Sequence, residues 1–224
     1  MPDRQLGTLL RHLGRTTACG DAASLTDGQL LERFITERQE AAFESLVRRH
    51  GRMVFNVCRR LLRRPQDAED AFQATFLLLI RRAGSIRKRE AVGSWLYKVA
   101  YRVALRARLA ESRRARREPQ GLEFPADEQD DSLLCRDLRP VLDEEVSRLP
   151  EKYRRAVVLC YLSGKSTEEA AAQLGCPRGT VLSRLAWARE RLHRRLARPG
   201  PDRGGPGRGA VRGGRLRGAI RQPR

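Results

Sequence analysis

The sequence predicts an all-α protein: two small helical domains joined by a flexible acidic linker, the second a helix-turn-helix, followed by a disordered Arg/Gly-rich tail. Three observations carry this. Apolar residues recur at steps of three and four, and no segment alternates with period two long enough to make a strand. Charge is partitioned, with a net +11 over residues 81–117 and a net −8 over residues 118–147. Helix-capping residues bracket a tight turn at Gly175.

In residues 40–62 the apolar positions Phe43, Leu46, Val47, Val54, Val57 and Leu61 predict one amphipathic helix. Residues 65–82 predict a second, with the stripe Ala68, Phe72, Thr75, Phe76 and Leu79. Pro65 suits its first turn, and Asp67, Glu69 and Asp70 lie near the positive end of its dipole. A polar loop, residues 84–93, leads to a third helix expected to start near Ser94, with Trp95, Leu96, Val99 and Val103 on one face. From periodicity alone this is a basic domain of three or four helices with an acidic and amide face. That face suits either protein binding or a solvated, dipole-matched helix start.

Residues 118–131 combine turn formers with acids and show no apolar period, which predicts a flexible, self-repelling linker. Domain boundaries are therefore expected at 1–26 (an extension), 27–117, 118–135 (the linker), 136–197 and 198–224. The tail holds eight arginines, eight glycines and four prolines in 27 residues and cannot build a core.

The second domain has the sharpest local grammar. Residues 141–149 are amphipathic and stopped by Pro150; residues 153–162 follow, ending near Gly164. Ser166 and Glu169 have capping-box spacing, in which each side chain satisfies the other's free backbone N–H. Gly175 can close that helix in the left-handed region, and Pro177 can open the next. Val181, Leu185, Ala188 and Leu192 predict the inner face of the last helix. A short helix, a glycine turn and a longer helix make a helix-turn-helix, whose longer helix normally enters the DNA major groove. The residues expected to face DNA are Arg178, Gly179, Thr180, Leu182, Ser183, Arg184 and Trp187.

Composition agrees with a polyanionic partner. The 224 residues carry a formal charge of +19, and only Lys88, Lys98, Lys152 and Lys165 among the 46 basic residues are lysines. Arginine's planar fork suits phosphate and guanine edges. No apolar run approaches the roughly 20 residues of a membrane helix, and residues 1–20 lack the apolar centre of a secretory signal. A cytoplasmic, nucleoid-associated protein with no membrane partner is expected. Cysteines 19, 58, 135, 160 and 176 are odd in number and spread, which argues against a disulfide framework and a thiolate metal site. No cofactor or metal is implied. His12, His50 and His193 are isolated, there is no phosphate-binding glycine loop, and no nucleophile stands beside a base, so an enzyme is not expected. His50 falls among core positions and reads as packing.

Three motifs in order carry a family resemblance: D-A-E-D-A-F-Q-A-T-F from Asp67, W-L-Y-K-V-A from Trp95, and L-P-E-K-Y-R-R-A-V-V-L with T-E-E-A-A-A-Q-L-G-C-P-R-G-T-V-L-S-R-L from Leu149 on. Over residues 28–197 the chain resembles the extracytoplasmic function group of the sigma-70 family, bacterial sigma factors that keep the second and fourth sigma domains. The resemblance implies that Asp67, Glu69, Asp70 and Gln73 bind the clamp coiled coil of the largest subunit of RNA polymerase core. It implies that the loop 84–93, with Arg87, Lys88 and Arg89, reads the −10 element and captures an unstacked base. The following helix would set Lys98, Arg102, Arg106 and Arg108 on phosphates. The helix-turn-helix would read the −35 element and residues 150–162 would meet the polymerase flap. Relatives are often held by an anti-sigma factor. The chain departs from the family pattern at Arg102 and Arg106, where asparagine and aspartate are frequent, and at Leu182 and Trp187, where basic residues are frequent. Those departures bear on which promoter is read.

The competing reading is a helix-turn-helix regulator that does not bind core polymerase. It accounts for residues 141–197 and the charge, but not for the acidic face or the W-L-Y-K-V-A segment.

Overall fold

The computed structural model describes residues 25–117 and 133–197, which fall in two compact units, 1–131 and 132–224. The expected extension (to residue 24), most of the linker and the tail lie outside the described residues. Among the described residues every regular element is helical.

Among its described residues the first unit has four α-helices: α1 (Asp27–Glu37), α2 (Glu40–Leu61), α3 (Pro65–Arg82) and α4 (Val92–Arg117). Two short 3-10 turns, Ala83–Ser85 and Arg89–Ala91, connect α3 to α4. Helix α1 starts at a capping box: Thr26 Oγ1 accepts from the Gln29 N–H, and Gln29 Oε1 accepts from the Thr26 N–H. Leu30 and Leu31 of this helix are fully buried. The core closes between α2, α3 and α4 through Leu46, Val54, Val57, Phe76, Leu79, Leu96 and Tyr97. A run of rings, Phe34–Phe43–Phe76–Phe72–Phe55, threads α1, α2 and α3 with centroids 5.1–6.2 Å apart.

The third helix expected near Ser94 begins two residues earlier, and its buried face is displaced. Leu96, Tyr97, Ala100, Tyr101 and Ala104 are buried, whereas Trp95, Val99 and Val103 lie half-buried at the edge. Apolar character alone misassigned the face, because two tyrosines and two alanines pack where α4 meets α2 and α3. Gly93 belongs to α4 rather than to the loop, and a Cβ there would stand 2.8 Å from His50 Cε1.

The second unit holds α5 (Leu133–Arg148), α6 (Glu151–Val157), α7 (Thr167–Leu174) and α8 (Arg178–Ala197). Helix α5 carries Pro140 in its interior and takes in residues 133–135, which the sequence pattern assigns to the linker. Helix α6 runs on into a wider π turn, Val158–Leu162. Arg154, 5% exposed, donates from Nη1 to the carbonyls of Leu149 (2.8 Å) and Ser147 (3.3 Å). A buried charge there satisfies carbonyls that the end of α5 leaves open.

Candidate nucleic-acid and polymerase interfaces

Helix α3 presents the acidic face. Steps of three and four residues, 67 to 70 to 73 and 69 to 73, place Asp67, Glu69, Asp70 and Gln73 on one side of it. Glu69 and Asp70 are exposed, and Asp67 and Gln73 are half-buried. The opposite side is the buried stripe Ala68, Ala71, Thr75, Phe76 and Leu79. Ala71 joins the predicted stripe and Phe72 sits at its half-buried edge.

The basic residues of the same unit expected at the −10 element divide into two groups. Lys98, Arg102 and Arg106 stand four residues apart along α4 and form one stripe, with Trp95 a turn before Lys98. Arg102 and Arg106 are exposed, whereas Lys98 and Trp95 are half-buried. Arg87 and Lys88 are exposed on the connection between the two 3-10 turns. Arg89 is different, because its guanidinium is ion-paired with Glu32 of α1. The turn bearing Arg89 is fixed to α1 a second way, by the Thr26 hydroxyl donating to Glu90 Oε1 at 3.2 Å. Gly28 leaves the space that Glu90 fills; a Cβ there would overlap its carboxylate. Sequence spacing could not reveal these partners, which are 57 to 64 residues apart in the chain.

Beneath this surface lies a buried polar cluster. Asp27 Oδ2 is 2.8 Å from His50 Nε2, and Asp27 Oδ1 is 3.0 Å from Arg49 Nη1. A carboxylate only accepts, so Nε2 carries the proton and donates. Burial alone would raise the Asp27 carboxyl. The hydrogen bonds and charges of His50 and Arg49 outweigh it and hold the group at about 2. This cluster is a fastener of α1 onto α2, in line with His50 as packing.

In the second unit the helix-turn-helix has the caps its sequence predicts. Glu169 N–H donates to Ser166 Oγ at 3.1 Å, and Ser166 N–H donates to Glu169 Oε2 at 2.7 Å. Gly175 adopts φ +61°, a left-handed conformation that glycine takes without a Cβ penalty. The Pro177 carbonyl accepts from Thr180 and Val181, so Pro177 stands just before α8. Val181, Leu185, Ala188 and Leu192 form the buried stripe.

The seven nominated DNA-facing residues of α8 have unequal surroundings. Gly179, Leu182 and Ser183 are exposed, and Thr180 is half-buried. Arg178 is exposed, but its Nε donates to Glu168 Oε1 (2.7 Å) and Thr167 Oγ1 (3.3 Å) at the start of α7. Arg184 Nη1 lies 3.6 Å from Cys176 Sγ in the turn. Trp187 stacks on Tyr153 of α6. The buried Cys58 thiol is pushed up to about 12 by desolvation, and burial also raises the Cys160 thiol, so both act as small apolar residues.

Residues 46–114 match the family described as Sigma-70 region 2, and residues 140–192 match Sigma-70, region 4. The chain is 37% identical to the ECF RNA polymerase sigma factor SigM of Mycobacterium tuberculosis (strain ATCC 35801 / TMC 107 / Erdman) over 167 residues, 69% of this chain and 77% of that protein. The chain belongs to the extracytoplasmic function group of the sigma-70 family. It is also 30% identical to the ECF RNA polymerase sigma-E factor of Haemophilus influenzae, over 78% of this chain and 97% of that protein. Among solved structures it is similar to CnrH in complex with the cytosolic domain of CnrY, at 22% identity and a TM-score of 0.39, covering 79% of this chain and 97% of that one. This ECF sigma factor is an RNA polymerase-binding protein that directs promoter recognition. The first matched region contains the acidic side of α3 and the basic stripe of α4, and the second contains α7, the turn and α8 as far as Leu192. No helix among the described residues of this sigma factor is long and apolar enough to cross a membrane.

Proposed function

We propose that the sigma factor divides its work among named faces. Asp67, Glu69, Asp70 and Gln73 on α3 hold the clamp coiled coil of core polymerase. Arg87 and Lys88, with Arg89 anchored beside them, and the stripe Lys98, Arg102 and Arg106 take the −10 element and its extruded base. Arg178, Gly179, Thr180, Leu182, Ser183, Arg184 and Trp187 read the −35 element, and α6 meets the flap. Residues 27–117 and 136–197 are the two working domains, with the acidic linker 118–135 between them. The protein works by binding, with no catalytic step of its own, in the cytoplasm where core and the nucleoid are.

The observation that carries this reading is the opposition of charge within one helical unit. In a chain of net charge +19, the exposed side of α3 is acidic while α4 carries a basic stripe. Charge complementarity sorts partners: the acidic side repels DNA phosphates and is left to a protein, while the basic stripe attracts them. Melting then needs no nucleotide hydrolysis, because holding an unstacked base repays part of an opening cost of a few kcal/mol.

The test is a pull-down of core polymerase by the full chain carrying Asp70→Arg and Gln73→Arg. Both residues are on the surface side of α3, so the fold should be retained, as checked by thermal melting. The reading predicts loss of core binding with duplex DNA binding retained. Unchanged core affinity would remove α3 from the interface.

A further inference from the structure

We propose that Leu182 is a specificity residue that reads the C5 methyl group of a thymine in the −35 element. The inference rests on the reading of α8 as the helix that enters the major groove.

Helix α8 meets its packing needs with Val181, Leu185, Ala188 and Leu192, all at most 4% exposed. Leu182 is next in sequence to that stripe, yet it is 44% exposed. With Leu109 and Trp187 it is one of three exposed large apolar residues among the described residues. Trp187 has a ring partner in Tyr153. Leu182 is more exposed than Trp187.

The surroundings of Leu182 favour an apolar contact. Gly179 and Ala186, its neighbours three before and four after on the helix surface, are both exposed. Three polar side chains near them have partners within the domain. Ser183 Oγ donates to the Gly179 carbonyl at 2.9 Å, Arg178 Nε is held by Glu168 and Thr167, and Arg184 Nη1 lies against Cys176 Sγ. Gly179 has a further implication. A Cβ there would meet nothing within 4 Å, so nothing in the domain requires glycine. Gly179 is the second residue of α8, and glycine is a poorer helix former than alanine. An outside surface approaching the backbone closely gives that glycine a use.

The major groove then selects the base. Guanine, cytosine and adenine present donors and acceptors, and pressing Leu182 on them would leave polar edges desolvated and unpaired. The thymine C5 methyl is the apolar group of that groove. A leucine with glycine and alanine on either side fits a methyl group between small neighbours.

The test uses the full chain assembled with core polymerase. Promoters are first selected from a duplex library randomised upstream, and each thymine of the enriched −35 motif is then replaced by deoxyuridine, which removes only the methyl group. At one position deoxyuridine should weaken the wild-type complex about three- to tenfold, as expected for burying a methyl against an apolar side chain. Leu182→Ala should bind both templates equally, and Leu182→Met, which keeps the apolar volume, should retain a preference for thymine. Equal binding of thymine and uracil by the wild type at every position overturns the proposal. So does a preference that survives Leu182→Ala, or a Leu182→Ala variant that loses core affinity with its methyl preference intact, which would make Leu182 a protein contact. Failure to enrich any −35 motif would instead defeat the reading of α8, and the proposal with it.

Discussion

The indole of Trp187 lies flat on the phenol ring of Tyr153, with centroids 3.7 Å apart and planes 14° from parallel. Lys152 Nζ stands 4.9 Å from the Tyr153 centroid. The stack joins α6, the helix proposed to meet the flap, to α8, the helix proposed to read DNA. It also gives a 39%-exposed tryptophan a fixed orientation on α8. Trp187 is therefore partly a structural residue of the helix-turn-helix.

Tyr153→Leu keeps apolar area on α6 but removes the stacked ring. The expected loss is about 1 kcal/mol, the usual contribution of an aromatic pair beyond its area burial. Trp95 and Trp187 are the two tryptophans, so a Trp95→Phe background makes fluorescence report on Trp187 alone. Urea titration followed by that signal should show a lower midpoint for Tyr153→Leu and a changed native emission. An unchanged midpoint and spectrum would mean that the stack does not hold α6 to α8.

Asp27 makes stability depend on pH in acid. Its carboxyl titrates at about 2 when folded, against 3.8 as the ordinary value. A depressed folded pKa adds stability that is complete above about pH 4 and is lost as pH falls towards 2. The amount is about 2 kcal/mol, from the conversion of a pKa shift to free energy. Asp27→Asn should remove that dependence and lower stability at pH 7, since the buried His50 and the Arg49 guanidinium lose their acceptor charge. Denaturant midpoints at pH 7, 4 and 2 check it. An Asp27→Asn variant whose acid loss between pH 4 and 2 equals the wild type's would contradict the role given to this carboxylate.

Gly93→Ala should destabilise the first unit. The new Cβ would stand 2.8 Å from His50 Cε1 and 3.2 Å from Nδ1. The ring is 2% exposed and held by Asp27, so it has little room to retreat. Overpacking of this kind costs about 1–3 kcal/mol, against roughly 1 kcal/mol gained in helix propensity. A double-mutant cycle with His50→Ala should show strong non-additivity, because the smaller residue relieves the clash. Additive effects would place the cost elsewhere.

What was legible in the sequence was local. Ser166 with Glu169, Gly175, and the stripe Val181–Leu185–Ala188–Leu192 each act within one or two helical turns, so spacing alone reveals them. The Asp67–Gln73 side of α3 was legible as a pattern for the same reason. What was missed depends on distant partners. Helix α1 carries a capping box at Thr26 and Gln29, but Gly28 interrupts its pattern, and that glycine makes sense only beside Glu90. Arg89 looks like any exposed cation until Glu32 is placed against it. Arg154 sits in a run of charged residues and gives no sign that it is buried under α5. The inner face of α4 was misread because Tyr97 and Tyr101 are buried there while Trp95 is not.

The central claim is that this chain makes core polymerase start transcription at promoters of its own. The direct test is transcription of genomic fragments by purified bacterial core polymerase, with and without the full chain, mapping RNA 5′ ends. The account predicts discrete starts only when the protein is present, with shared −35 and −10 elements upstream of them. A chain that neither binds core nor produces such starts would contradict it and leave the helix-turn-helix as that of an ordinary DNA-binding regulator.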